Sequence, residues 1–176
     1  MVKKYRSMGA EVLYSQDAIT MVSRPDIEYF KRLSSKNSRK RIRLCTHDDI
    51  DDRLHEMFII HEKDIYVRPH KHIGKTESTH IIEGQVDVVI FDDYGHVERV
   101  ICMGDYTSGK IFYYRMAIPV FHTLIIRSKF LVFHETTNGP FNRSETVFAT
   151  WSPEDGDMDS VSKFTKDLHE KIKLIK

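Results

Sequence analysis

Within the run Tyr66-Val67-Arg68-Pro69-His70-Lys71-His72, two histidines stand one residue apart. In an extended strand, residues i and i+2 project to the same side, so both imidazoles face together. Ile73-Gly74-Lys75-Thr76 then reads as a short connection, and Glu77 opens the next apolar run. A second strand beside the first would bring the Glu77 carboxylate against the His pair. His122, which follows Pro119 at the head of the run FHTLIIR, is the expected third imidazole. Neutral imidazole is a borderline ligand and a carboxylate adds charge and hardness, so this set suits one divalent transition metal. Fe, Mn, Ni, Co, Cu and Zn all accept such donors, and the residues do not choose among them. Three or four ligands on rigid strands, with a position left open, make a reactive site rather than a closed structural one.

Other side chains extend this chemistry. Arg68 and Tyr66 share the strand parity of His70 and His72, which makes Arg68 a candidate to grip a substrate carboxylate or phosphate bidentately and Tyr66 a candidate catalytic hydroxyl. Lys75, in the loop between ligands, can reach a substrate anion and is a candidate catalytic residue as well. His80 is three residues beyond Glu77 and faces away in a regular strand. His47, His55, His61, His96, His134 and His169 read as ordinary surface or packing residues.

The elements that must position these groups are mostly strands. From about Arg41 to Thr150, short runs rich in Val, Ile, Phe and Tyr alternate with turn signals: MFIIHE (57–62), IYVRPHKH (65–72), STHIIE (78–83), QVDVVIF (85–91), HVERVICM (96–103), KIFYYRMAI (110–118), FHTLIIR (121–127), FLVFHET (130–136) and ETVFAT (145–150). Glu83-Gly84, Asp93-Tyr94-Gly95 and Asn138-Gly139-Pro140 mark tight connections, with a hairpin expected at Gly84. Many short strands at this spacing predict a sandwich or barrel and not a βαβ fold. Before them, AEVLYS and AITMVS suggest strands of an N-terminal arm. A helix follows, with Ser23 as its cap, Pro25 in its first turn and Ile27, Phe30 and Leu33 at helical spacing. After them, Val161, Phe164, Leu168, Ile172 and Ile175 form one apolar stripe of a tail helix. The expected divisions are an arm and helix over 1–40, a β-barrel domain over 41–157, and a helix over 158–176 packed on the barrel or on a partner.

Composition narrows the function classes. Across 176 residues, Lys+Arg 27 against Asp+Glu 26 leaves a net charge of +1, so no global charge favours nucleic acid. The densest basic run, Lys36 to Arg43, reads as a solvated segment joining helix to barrel, with phosphate contact as its functional alternative. Without a stretch of 18 apolar residues, no membrane insertion is expected. Neither GxxxxGK[ST] nor GxGxxG occurs. The start has no secretory pattern, and Cys45 and Cys102 form no CxxC, so a cytoplasmic setting is expected. The ten histidines are roughly two to three times ordinary usage.

His-x-His, four residues, Glu, six residues, Gly and a distant His together resemble the first motif of the cupin superfamily. Tyr66 to His72, Gly74-Lys75 and Glu77 are more narrowly similar to the WbuC family of cupin fold metalloproteins. So are Arg41 to His47, Phe91-Asp92-Asp93-Tyr94-Gly95, Phe133 to Phe141 and Phe148 to Gly156. The likeness spans roughly residues 38–157. Two positions depart from the pattern: Asp64 replaces the usual opening Gly, and Pro119-Val120-Phe121-His122 is a shortened second motif. The resemblance implies a mainly β chain built on a cupin double-stranded β-helix, a jelly-roll barrel, with an N-terminal helix and a C-terminal amphipathic helix. It implies a metal held by His70, His72, Glu77 and His122, and it makes Glu135 a candidate general acid or base. It points to bacterial surface-polysaccharide (O-antigen, lipopolysaccharide) biosynthesis, with a sugar or sugar-nucleotide as small-molecule partner and isomerase or epimerase chemistry. An oxygen-dependent metalloenzyme and a non-catalytic metal- or sugar-binding module are the alternatives. A homodimer is expected, because small barrels leave edge strands to cover.

Overall fold

The computed structural model describes residues 4–175. Residues 1–3 of the expected arm and Lys176 of the expected tail helix lie outside the described residues. In chain order the elements are β1 (Tyr5–Ser7), β2 (Val12–Ser15), α1 (Arg24–Ser34), β3 (Arg41–Cys45), β4 (Leu54–Glu62), β5 (His70–His72), β6 (Glu77–Glu83), β7 (Gln85–Phe91), β8 (Val97–Gly104), β9 (Tyr113–Met116), β10 (Phe121–Ile126), β11 (Phe130–Asn138), β12 (Thr146–Phe148) and α2 (Met158–Ile175). A seven-stranded sheet runs β1-β2-β3-β4-β11-β6-β9, and a five-stranded sheet runs β12-β5-β10-β7-β8.

Alternation along each strand sets what every face buries. In β7, Val86, Val88 and Ile90 enter the core between the sheets, where they meet Met57, Ile59, Ile81, Leu131 and Phe133 of the larger sheet. Val89 and Phe91 leave through the opposite face to meet Leu168 and Ile172 of α2. β7 is thus covered on both sides, which explains its nearly unbroken apolar sequence. On the larger sheet, Ile42, Leu44, Ile60 and Val132 point outward onto Ile27 and Phe30 of α1. Each helix therefore covers the outer face of one sheet.

Both helices begin and seat themselves as their sequences dictate. The Ser23 backbone N–H donates to the Asp26 carboxylate at 2.9 Å, closing the start of α1. The buried Lys31 ammonium lies 2.6 Å from Glu83 at the end of β6 and 2.8 Å from Glu28 on its own helix. Along α2, Val161, Leu168 and Ile172 are buried and Phe164 tilts against Trp151. Ile175, the last member of the expected stripe, is 49% exposed. The strands β1 and β2 of the arm extend the larger sheet, β2 running parallel to β3. The run AITMVS carries no strand, and residues 65–69 are irregular, so only His70–His72 of the expected strand 65–72 is paired.

Gly84 joins no hairpin. The chain passes there from β6 in one sheet to β7 in the other, with φ +92°. A Cβ at this corner would collide with the Phe130 carbonyl oxygen and the Ser128 hydroxyl. Gly84→Ala is therefore expected to cost about 2 kcal/mol or more of stability, read as a lowered urea midpoint with an unchanged slope.

Candidate metal centre

β5 is three residues long, yet it is paired along both edges. His70 lies opposite His122 of β10 on one side and Phe148 of β12 on the other, and His72 lies opposite Thr146. One ring nitrogen from each of His70, His72 and His122 lies within 4.8 Å of the other two. Backbone carbonyls fix two of the rings. The Nδ1 of His70 donates to the Arg68 carbonyl at 2.8 Å, and that of His122 to the Val120 carbonyl at 3.1 Å. A carbonyl only accepts, so both Nδ1 atoms carry the proton and both Nε2 lone pairs are free. The Nδ1 of His72 lies 3.2 Å from the Thr146 hydroxyl.

Glu77 completes the group from across the barrel. The expected neighbour strand is not beside β5; β6 belongs to the other sheet, so the carboxylate reaches over the gap between sheets. One Glu77 oxygen lies 3.5 Å from His122 Nε2 and the other 3.5 Å from His72 Nε2. The Tyr114 hydroxyl, on β9, donates to Glu77 Oε1 at 2.9 Å. Burial pushes the His70 pKa down to about 4 and that of His72 down to about 3, and it lowers His122 as well. Burial also raises Glu77. Neutral imidazoles with carbonyl-fixed tautomers, aimed at a buried carboxylate, fit a divalent transition metal. His70, His72, His122 and Glu77 are the residues that would hold it.

The centre opens into a cavity of about 160 Å³ lined by His72, Lys75, Glu77, Glu135 and Phe141, among others. Sheet register arranges its wall in rows. His55, Thr137, Glu77 and Met116 form one, and Met57, Glu135, Thr79 and Tyr114 the next. A third, Arg43, Ile59, Phe133 and Ile81, begins the apolar core. Burial, reinforced by the nearby Glu77 charge, raises the Glu135 pKa to about 8. The Lys75 ammonium lies 3.6 Å from Glu145 and 3.4 Å from the Pro140 carbonyl, over the Phe141 ring.

Tyr66 and Arg68 are elsewhere. The Tyr66 hydroxyl donates to the Pro153 carbonyl at 2.9 Å and its ring meets Phe164 of α2. Arg68 packs over Phe148, 3.7 Å from Glu154 and 3.4 Å from the Ser152 hydroxyl. Neither lines the cavity. The parity that joined them to His70 requires a continuous strand, and the backbone before Pro69 is irregular. His80 is exposed on the outer face beside Phe112. Conversely, Arg43, His47 and His55 line the cavity. The rings of His47 and His55 stack at 4.1 Å. The alternation Arg41-Ile42-Arg43-Leu44-Cys45, with the apolar residues turned toward α1, is the sequence signal that aims Arg43 inward.

The fold places the chain among cupin-type barrels. It is similar to protein SO0799 from Shewanella oneidensis, with a TM-score of 0.53 at 9% identity over 73% of this chain and 85% of that one. It is also similar to oxalate decarboxylase from Bacillus subtilis, with a TM-score of 0.45 at 17% identity over 56% of this chain and 24% of that one. The capsular polysaccharide assembling protein CapF from Staphylococcus aureus gives 0.46 at 17% over 60% and 31%. The chain thus spans about a quarter to a third of the last two proteins. A family described as a domain of unknown function (DUF6016) matches residues 22–103. No curated protein matches the chain in sequence.

Two outcomes are expected. Elemental analysis of tag-free protein finds roughly one divalent ion per chain, and His70→Ala reduces it to background. In metal-free protein, Glu135→Gln gains stability relative to the parent as pH rises. The folded state retains the Glu135 proton up to about 8, while the unfolded chain releases it near the ordinary carboxylate value. The difference in urea midpoint therefore widens from about pH 4.5 to about pH 8 and is flat above.

Proposed function

We propose that this chain is a metal-dependent cupin enzyme related to the WbuC family, which isomerises or epimerises a sugar or nucleotide-linked sugar in surface-polysaccharide biosynthesis. The observation that carries the proposal is the meeting of three imidazoles, two of them 3.5 Å from the Glu77 carboxylate, beside a cavity lined by His72, Glu77 and Glu135. The residue likeness described above supports the polysaccharide setting.

A bound divalent ion would supply Lewis-acid polarisation of a substrate oxygen. The chain's own residues supply the rest. Glu135, buried in the cavity wall beside Glu77, is placed to give or take a proton as general acid–base catalysis requires. Tyr114 holds the Glu77 carboxylate in place through its 2.9 Å hydrogen bond. Lys75, its ammonium held over the Phe141 ring, presents a positive charge to the cavity.

The test is turnover of a panel of keto-deoxy sugar nucleotides by metal-reconstituted protein. Conversion is expected, with loss of activity in His70→Ala. Glu135→Gln is expected to lower kcat by roughly 10²–10⁴-fold at unchanged metal content. Rates should be equal with and without oxygen. A rate that collapses anaerobically assigns the site to oxygen chemistry instead, and no conversion across the panel overturns the proposal.

A further inference from the structure

The basic run Lys36 to Arg43 is largely consumed by the protein itself. Arg39 pairs with Asp155 at 2.6 Å and Arg41 with Glu11 at 2.7 Å. Arg43 differs. It stands on β3 with its side chain on the face turned toward the other sheet, next to Cys45 and the apolar Ile59. Among the described residues it forms no ion pair, yet it lines the same cavity as His72, Glu77 and Glu135. Arg43 is exposed at that cavity, so its guanidinium is open to a ligand, and its planar fork matches an oxyanion.

Lys75 approaches that cavity from the loop between two of the candidate ligands, close enough for its charge to act on His72. Its side chain is 6% exposed, so it is held in place. With Glu145, 3.6 Å from Lys75, two cationic side chains face three carboxyls, and a divalent ion adds two charges of its own. The cavity then carries a positive excess whether Glu135 is ionised or not.

We propose that Arg43 and Lys75 form an oxyanion subsite beside the metal centre and that the substrate carries a phosphate or carboxylate seated there. This rests on the metal-dependent reading above and names its substrate class. Arg43 grips the anion from the sheet and Lys75 from the loop, leaving the rest of the substrate to extend toward the imidazole cluster.

The test is calorimetric titration of inorganic phosphate and of acetate into the full chain, both metal-free and zinc-reconstituted. Saturable binding of one anion to the zinc form is expected, weakened roughly tenfold in Arg43→Gln and in Lys75→Gln. Arg43→Lys, which keeps the charge and loses the fork, should recover part of it. Zinc content should be the same in the parent and both Arg43 variants. Preference for phosphate assigns a phosphorylated or nucleotide-linked substrate, and preference for acetate assigns a sugar acid. Unaltered affinity in Arg43→Gln, or no binding of either anion to the zinc form, overturns the subsite. If zinc does not bind while Arg43-dependent anion binding persists, the subsite stands and the metal-dependent reading falls.

Discussion

Three imidazoles and a carboxylate withdrawn from water into one small volume are the constraint around which this barrel is arranged. Each group loses hydration, and each must recover it from a fixed partner. His70 and His122 do so through carbonyls two residues behind them in the chain, and Glu77 through the Tyr114 hydroxyl. These partners leave the Nε2 atoms pointing at one another and at Glu77, a concentration of lone pairs that a cation would resolve. The short β5 can hold two of the rings because β10 and β12 pin it from both sides. A strand of this length bonded along one edge would have little to stop its rings from turning away.

Glu77 ties that arrangement to the rest of the fold. It reaches the cluster from the opposite sheet, so the separation of the two sheets sets its distance from the imidazoles. That separation is in turn set by the apolar core, in which Val86, Val88 and Ile90 meet Met57, Ile59 and Phe133. A cavity-forming change in this core would therefore be felt at the metal centre, to which Tyr114, packed on the core, is hydrogen-bonded through Glu77. Along β11, Thr137 and Glu135 belong to the cavity rows, while Phe133 and Leu131 belong to the core. One strand thus serves the site with one end and the packing with the other.

The sequence was most legible where local chemistry decides. The period-2 runs located most strands, and Ser23, Pro25, Ile27 and Phe30 located α1 and its start. The spacing of His70 and His72, with His122, picked out three imidazoles that lie together, and Glu77 lies 3.5 Å from two of them. What was hidden depended on which strand neighbours which. Glu77 was expected from a strand beside β5 and instead comes from across the barrel, because Gly84 turns a corner between sheets rather than a hairpin. Tyr66 and Arg68 were assigned to the site by a parity that ends at Pro69. Arg43 was read as one more charge in a basic run, because the ion pairs that occupy Arg39 and Arg41 cannot be counted without the fold. His47 and His55 stack only because the chain between them brings the start of β4 back beside the bend that follows β3.

The helices complete the logic. A site that fills the gap between sheets with histidines, carboxyls and cations takes that volume away from apolar packing, which lowers stability. α1 and α2 restore it on the outside. Ile27 and Phe30 cover Ile42, Leu44 and Ile60, and Leu168 and Ile172 cover Val89 and Phe91. Fully burying one such side chain is worth about 1.5–3 kcal/mol, so two outer layers of this kind can offset several polar rows inside. Because both helices lie against outer faces, neither lies across the mouth of the cavity. A chain with the same barrel and no helices would have to choose between a packed interior and a reactive one. Here the apolar clusters under α1 and α2 let the interior be divided, half core and half site.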